Sequence, residues 1–219
     1  MANMRRPSPE PPVGLPQVQF RPGLANETLR EMAPLLAEEG VDDIDVPDLE
    51  TLQQAMNRAV ERHNMMQFTP VGVARDDALD VLREVTDALA TEDSGYAADV
   101  LDNVPPDAPE GDCATVAGCI GVALGLLDDW LSARATAAPS GLGGQVVLPA
   151  GHWTGERAAT DILALARKGR AGGSIDSLIV RQGGKHVLYG AALAVAAVIQ
   201  AWSRTTGTPI RQLADTHIR

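Results

Sequence analysis

The residues best placed to do chemistry lie in one stretch, ARKGRAGGSIDSLIVRQGGKH, positions 166 to 186. Arg167, Lys168, Arg170, Arg181 and Lys185 surround two glycine pairs, Asp176 is the one acid among them, and both lysines of the chain are here. Gly183, Gly184 and Lys185 lead into a helical pattern that opens with His186. Backbone N–H groups at a helix N-terminus beside a cation are what an anion nest requires. Arg167, Lys168, Arg170, Arg181, Gly183, Gly184, Lys185 and His186 are therefore the candidate ligand-binding residues. The stretch is not a Walker A loop, because Ile179 stands where its first glycine belongs and His186 where Ser or Thr is needed. Three readings compete: glycine turns with solvated charges, docking onto an acidic part of the chain, or contact with a phosphorylated small molecule or nucleic acid. Nucleic acid fits less well, since no aromatic side chain is interleaved for base stacking.

Other chemistry finds less support. Asp128 and Asp129 are adjacent, so on a helix they point about 100° apart and form no acid–base dyad. Cys113 and Cys119 would sit roughly 9 Å apart along a helix and on different faces, too far to pair; both read as structural, buried thiols. His63, His152, His186 and His217 show no metal-ligand spacing, and no GxSxG nucleophile elbow is present. The run EEGVDDIDVPDLE fails as a calcium loop, because counting from Asp43 puts Pro47 fifth and Asp48 where glycine is required. No metal and no cofactor is expected. An enzyme reading would need residues that converge only in three dimensions, with His152, Glu156, Lys185 and His186 as its members.

Helices must position all of these. Residues 1–23 hold six prolines and no periodic apolar pattern, as a disordered arm would; residues 24–219 read as one all-α domain of about eight helices. Asn26 caps a first helix carrying Leu29, Met32, Leu35 and Leu36, and a second begins at Pro47 and Asp48. Further helices are expected at about 72–90, 95–103 and 113–135. A Gly/Pro-rich linker follows at about 136–152, in which QVVL has the composition of a lone strand. The next helix runs from an N-cap at Thr154 to Gly169, with Trp153 stapled to Ala158. SIDSLIV makes a short element, GGK a turn, 187–206 a helix, and Thr208 and Pro209 the N-cap and first residue of the last one.

Two of these helices, within 113–135 and 187–206, are apolar on all sides, the mark of a segment surrounded by protein. Their uncharged runs of 14 and 13 residues fall short of the roughly 20 that cross a bilayer, so no membrane is expected. Gly118, Gly121 and Gly125 would let a neighbouring backbone approach, and the two helices are expected to touch each other, or the same helix of a second subunit. An offset of 72 aligns Gly118 with Gly190 and Trp130 with Trp202. Similar segments recur upstream, the pattern that a degenerate internal duplication would leave.

Charge is unevenly spread. Residues 1–112 carry 23 acidic and 8 basic side chains, and residues 113–219 carry 6 and 10. The 16 arginines against 2 lysines, with abundant Ala, Gly and Asp, suggest a bacterial origin. MANMRRPSPEPPVGLPQ lacks the apolar core of a signal peptide, so a cytoplasmic location is expected. Since no catalytic constellation emerges, the first functional expectation is a non-enzymatic interaction or regulatory protein with a protein partner, itself a homo-oligomer. The second is a binder of a phosphorylated small molecule or nucleic acid through residues 167–186. The third is the enzyme with a site assembled in space.

Overall fold

The computed structural model describes residues 68–107, 113–132, 138–148 and 154–219, together with positions 30, 33, 34, 36, 37 and 55. The chain divides into two compact units, Met1–Ala55 and Met56–Arg219. In the first, the described positions are helical; the calcium-like run, the proline-rich arm and the two proposed helix starts lie outside the described residues.

The second unit is all-α, with eight α-helices and no strand among its described residues. They are α1 (Gly72–Ala90), α2 (Ser94–Asp102), α3 (Val116–Leu131), α4 (Leu142–Gln145), α5 (Glu156–Ala166), α6 (Ile175–Gln182), α7 (Gly184–Thr206) and α8 (Ile210–His217). A 3₁₀ turn, Gly172–Ser174, leads into α6.

Helix α7 is the centre. From Ala191 to Ile199 no residue is more than 3% exposed, although that run covers every face of the helix. It packs against α1, α3, α5, α6 and α8. At 23 residues α7 is long and apolar enough to span a membrane by length and composition, yet most of its apolar window is enclosed by the other helices. Aliphatic and small side chains make up most of its surroundings, and that suits close helix contact. The expected contact of the two apolar helices is present: α3 lies along α7, and Trp130 meets Trp202 edge-on with ring centroids 6.1 Å apart. Residues equated by the 72-residue offset thus touch each other, and the order long helix, short helix, apolar helix occurs twice, as α1–α2–α3 and α5–α6–α7.

The glycines have different partners from those expected. In α3, Gly118 lies against Pro70 and Gly121 against the Phe68 carbonyl, so these small residues admit the chain entering α1 and not α7. The close helix approach is made instead by Gly190. A Cβ there would fall 2.5 Å from Ala158 Cβ and 2.7 Å from the Ala159 nitrogen, which locates the crossing of α5 over α7.

Local signals set most helix ends. Asp93 caps α2 by accepting from the Tyr96 N–H at 3.0 Å, and Thr115 caps α3 by accepting from the Gly118 N–H at 3.1 Å. Gly207, left-handed at φ 72°, closes α7 by donating its N–H to the Ser203 carbonyl. Four boundaries correct the sequence reading. Gln145 ends the helical turn α4, so QVVL is no strand. Gly155, at φ 82°, is the N-cap of α5 in place of Thr154. Helix α7 starts at Gly184, three residues early, because Gly183 at φ 83° makes the turn alone. Pro209 is itself the N-cap of α8, with extended ψ 140°.

Candidate functional site

The basic stretch is divided by the fold. Arg167, Lys168 and Arg170 lie just beyond the C-terminus of α5, where the helix dipole favours cations. Arg167 Nε donates to the Gly143 carbonyl at 2.9 Å, tying α5 to α4. Arg181, Gly183, Gly184, Lys185 and His186 stand at the far end of α6, whose eight residues span about 12 Å. The eight candidate residues therefore form two groups.

Within the second group, Lys185 faces away from the cleft that holds Arg181 and His186. Its Nζ lies 2.8 Å from Asp102 Oδ1 at the end of α2, and the Tyr189 hydroxyl donates to the same oxygen at 2.5 Å. Lys185 Nζ also stands 5.9 Å from the Tyr189 ring centroid. Hydrogen bonds from Lys185 and then Tyr189 hold the Asp102 carboxyl below its usual range. Burial first, and the Asp102 carboxylate second, push the Tyr189 hydroxyl up to about 12. Lys185 is thus paired with Asp102 of α2 in one exposed clasp.

Arg181 and His186 share a cleft of about 510 Å³ with Arg157, Glu156, Asp161 and Gln182. The first turn of α5 opens into it, brought there by the glycine crossing: a Cβ on Gly155 would lie 2.5 Å from the Gly190 nitrogen and 2.8 Å from the His186 carbonyl oxygen. Gln182 Nε2 donates to Asp161 Oδ2 at 2.9 Å and Arg181 Nε to the Ser177 carbonyl at 3.0 Å. Two arginines and a histidine face two carboxylates, a balance that suits a ligand with charge of both signs or a single anionic group bound near the arginines. Of the enzyme candidates, Glu156 and His186 meet here, Lys185 is at the Asp102 clasp, and His152 lies outside the described residues.

Asp128 accepts from the Ala171 and Gly172 N–H groups at 2.9 Å each. It caps the 3₁₀ turn from 43 residues away in sequence. Cys119 is fully buried and its thiol is pushed up to about 12, by burial first and the nearby Asp77 second, as expected of an inert structural thiol. Cys113 departs from that expectation: it is half-buried.

Cys113 lines a second cleft, of about 330 Å³, that the sequence did not reveal. Asp77, Asp80 and Glu84 of α1 stand along it over Val81, Val100 and Val104. Asp80 pairs with Arg83, and Glu84 accepts from the Tyr96 hydroxyl. The i, i+3, i+7 spacing of these acids was a legible signal for one helix face; that α2 supplies an apolar wall was not. Among the described residues no group of three or more His, Cys, Asp or Glu is arranged to hold a metal ion. Comparison with protein-family models, curated proteins and solved structures finds no match.

Proposed function

We propose that this chain is a non-enzymatic, cytoplasmic interaction protein that acts through contacts with another protein. The observation that carries the reading is the α1–α2 cleft, in which Asp77, Asp80 and Glu84 overlook an apolar floor. A carboxylate row steers and orients a basic segment, while the floor takes up an apolar side chain. The charged groups elsewhere fit this division: Lys185, Arg167 and Asp128 hold helices together.

The test is affinity capture from the native cell extract, with the wild-type chain and an Asp77→Asn, Asp80→Asn, Glu84→Gln variant side by side. The expected result is a partner that the variant recovers at least tenfold less and that elutes as salt rises, since exposed charges are screened within a few ångströms near 1 M. Equal recovery by both proteins, or no partner, overturns the reading. Homo-oligomerisation belongs to the same proposal, and a monomeric mass by light scattering removes it.

A second reading is favoured by the meeting of Arg157, Arg181 and His186 at the start of α5: a site for a phosphorylated small molecule. Calorimetric titration with inorganic pyrophosphate checks it. Arg181→Ala should weaken binding at least tenfold, and unchanged affinity, or no heat at millimolar ligand, rejects it. Nucleic acid would reveal itself by excess absorbance at 260 nm in the purified protein, lost at high salt.

A further inference from the structure

A third cleft, of about 360 Å³, lies where α1, α2 and α7 meet. Its walls are Val85, Leu89, Leu101 and Leu193, and each is less than 10% exposed although it borders open space. The space exists because small residues face each other: Ala97 of α2 and Ala192 of α7 stand where larger side chains would close it. The α2 end is held in place by the clasp, for the Tyr189 hydroxyl also reaches the Ala98 carbonyl at 3.2 Å. An apolar guest of matching size would displace water from these walls and bury their apolar surface.

The polar groups restrict the guest further. The hydroxyl-bearing residues Ser94, Thr154 and Tyr189 line the cleft, and among the described residues no cationic side chain does. A carboxylate or phosphate would lose its hydration with no positive charge in return. The single O–H of Tyr189 is donated to Asp102, so toward a guest the Tyr189 oxygen accepts. The volume lies at the small end of the range for ligand pockets, about 300–1,000 Å³.

We infer that this cleft binds a small uncharged molecule with a compact hydrocarbon body and one hydroxyl, in the class of alkyl phenols and branched alcohols, with the hydroxyl donating to Tyr189. The site goes beyond the protein contacts proposed above and uses none of the acidic row, so either can fail without the other.

The full chain is titrated by calorimetry with 4-tert-butylphenol, its methyl ether, and 4-tert-butylbenzoate. The phenol is expected to bind with a dissociation constant below 1 mM, about tenfold tighter than the ether and more than tenfold tighter than the benzoate. Ala192→Phe fills the cleft from the buried side; Ala98→Leu fills it from half-exposed α2, where the fold tolerates a larger side chain, and should weaken the phenol at least tenfold. Tyr189→Phe should abolish the preference for phenol over ether while keeping binding of both. Absence of phenol binding at 10 mM, unchanged affinity in a folded Ala98→Leu protein, tighter binding of the benzoate, or a preference that survives Tyr189→Phe each overturns the inference.

Discussion

Replacing Gly190 by Ala tests the account of the α5–α7 crossing. In the middle of a helix this change ordinarily stabilises by about 1 kcal/mol, because glycine gives up more backbone freedom than alanine. Here the new methyl would lie 2.5 Å from Ala158 Cβ, 2.7 Å from the Ala159 nitrogen and 2.8 Å from the Gly155 oxygen. Ordinary contacts begin near 3.4 Å, and two of the three neighbours are backbone atoms, so α5 as a whole must move away by on the order of 1 Å. Such overpacking costs about 1–3 kcal/mol and in a helix crossing sits toward the upper value. The net expectation is a loss of about 1–2 kcal/mol, which for a unit of this size lowers Tm by about 2–8 °C. Gly184→Ala, in the same helix, is the control: its methyl would meet only Val116 Cγ1 at 3.6 Å. That variant should melt at or slightly above the wild-type temperature. Thermal and urea unfolding followed by circular dichroism at 222 nm reads both. If Gly190→Ala melts no lower than Gly184→Ala, α5 does not cross α7 at this residue, and the cleft built on that crossing is wrong.

Asp128→Asn leaves one oxygen for two N–H groups, so one of the Ala171 and Gly172 donors loses its acceptor; a destabilisation of about 1–3 kcal/mol, read from the urea midpoint, is expected. An unchanged midpoint would show that the 3₁₀ turn holds without that cap. In native protein, a thiol reagent such as Ellman's should modify Cys113 and spare Cys119 until denaturant is added; release of two equivalents at once contradicts the burial of Cys119. His217 stacks on Trp202 at 4.1 Å between centroids, and burial first, then Arg219, lower its affinity for protons in the folded state. Its unfolded value is near 6.5 and its folded value is below that, so the unfolded chain binds more protons as pH falls through this window. The stability contributed is whole above about pH 6.5 and is lost progressively below it. Tm should therefore fall between pH 7 and pH 5 with a slope that His217→Gln reduces; an identical slope in the variant removes His217 as the cause.

Much of the candidate chemistry was placed by sequence but could not be assembled from it. Arg167 and Arg181 look like one basic island in the chain, since only 14 positions separate them. The fold separates them, because Arg167 is the C-cap of α5 and Arg181 lies in the last turn of α6. Lys185 and His186 are neighbours in sequence, yet the roughly 100° turn per helical residue sends one to Asp102 and the other to the cleft beside Glu156. Gly155 reads as an ordinary loop glycine until its partner Gly190 is known.

The sequence alone determined that α1, α3 and α7 are helices and that two of them are enclosed, because apolar periodicity and uninterrupted apolar runs are local properties. Several ends are also set locally, where Asp93 or Gly207 acts on a backbone within four residues. Tertiary structure alone decided which enclosed helix is the centre, that Gly118 and Gly121 receive the Phe68–Pro70 segment, and that Asp128 caps Ala171 and Gly172. These pairings join residues tens of positions apart. They follow from the free energy of packing the whole unit, which no local pattern encodes.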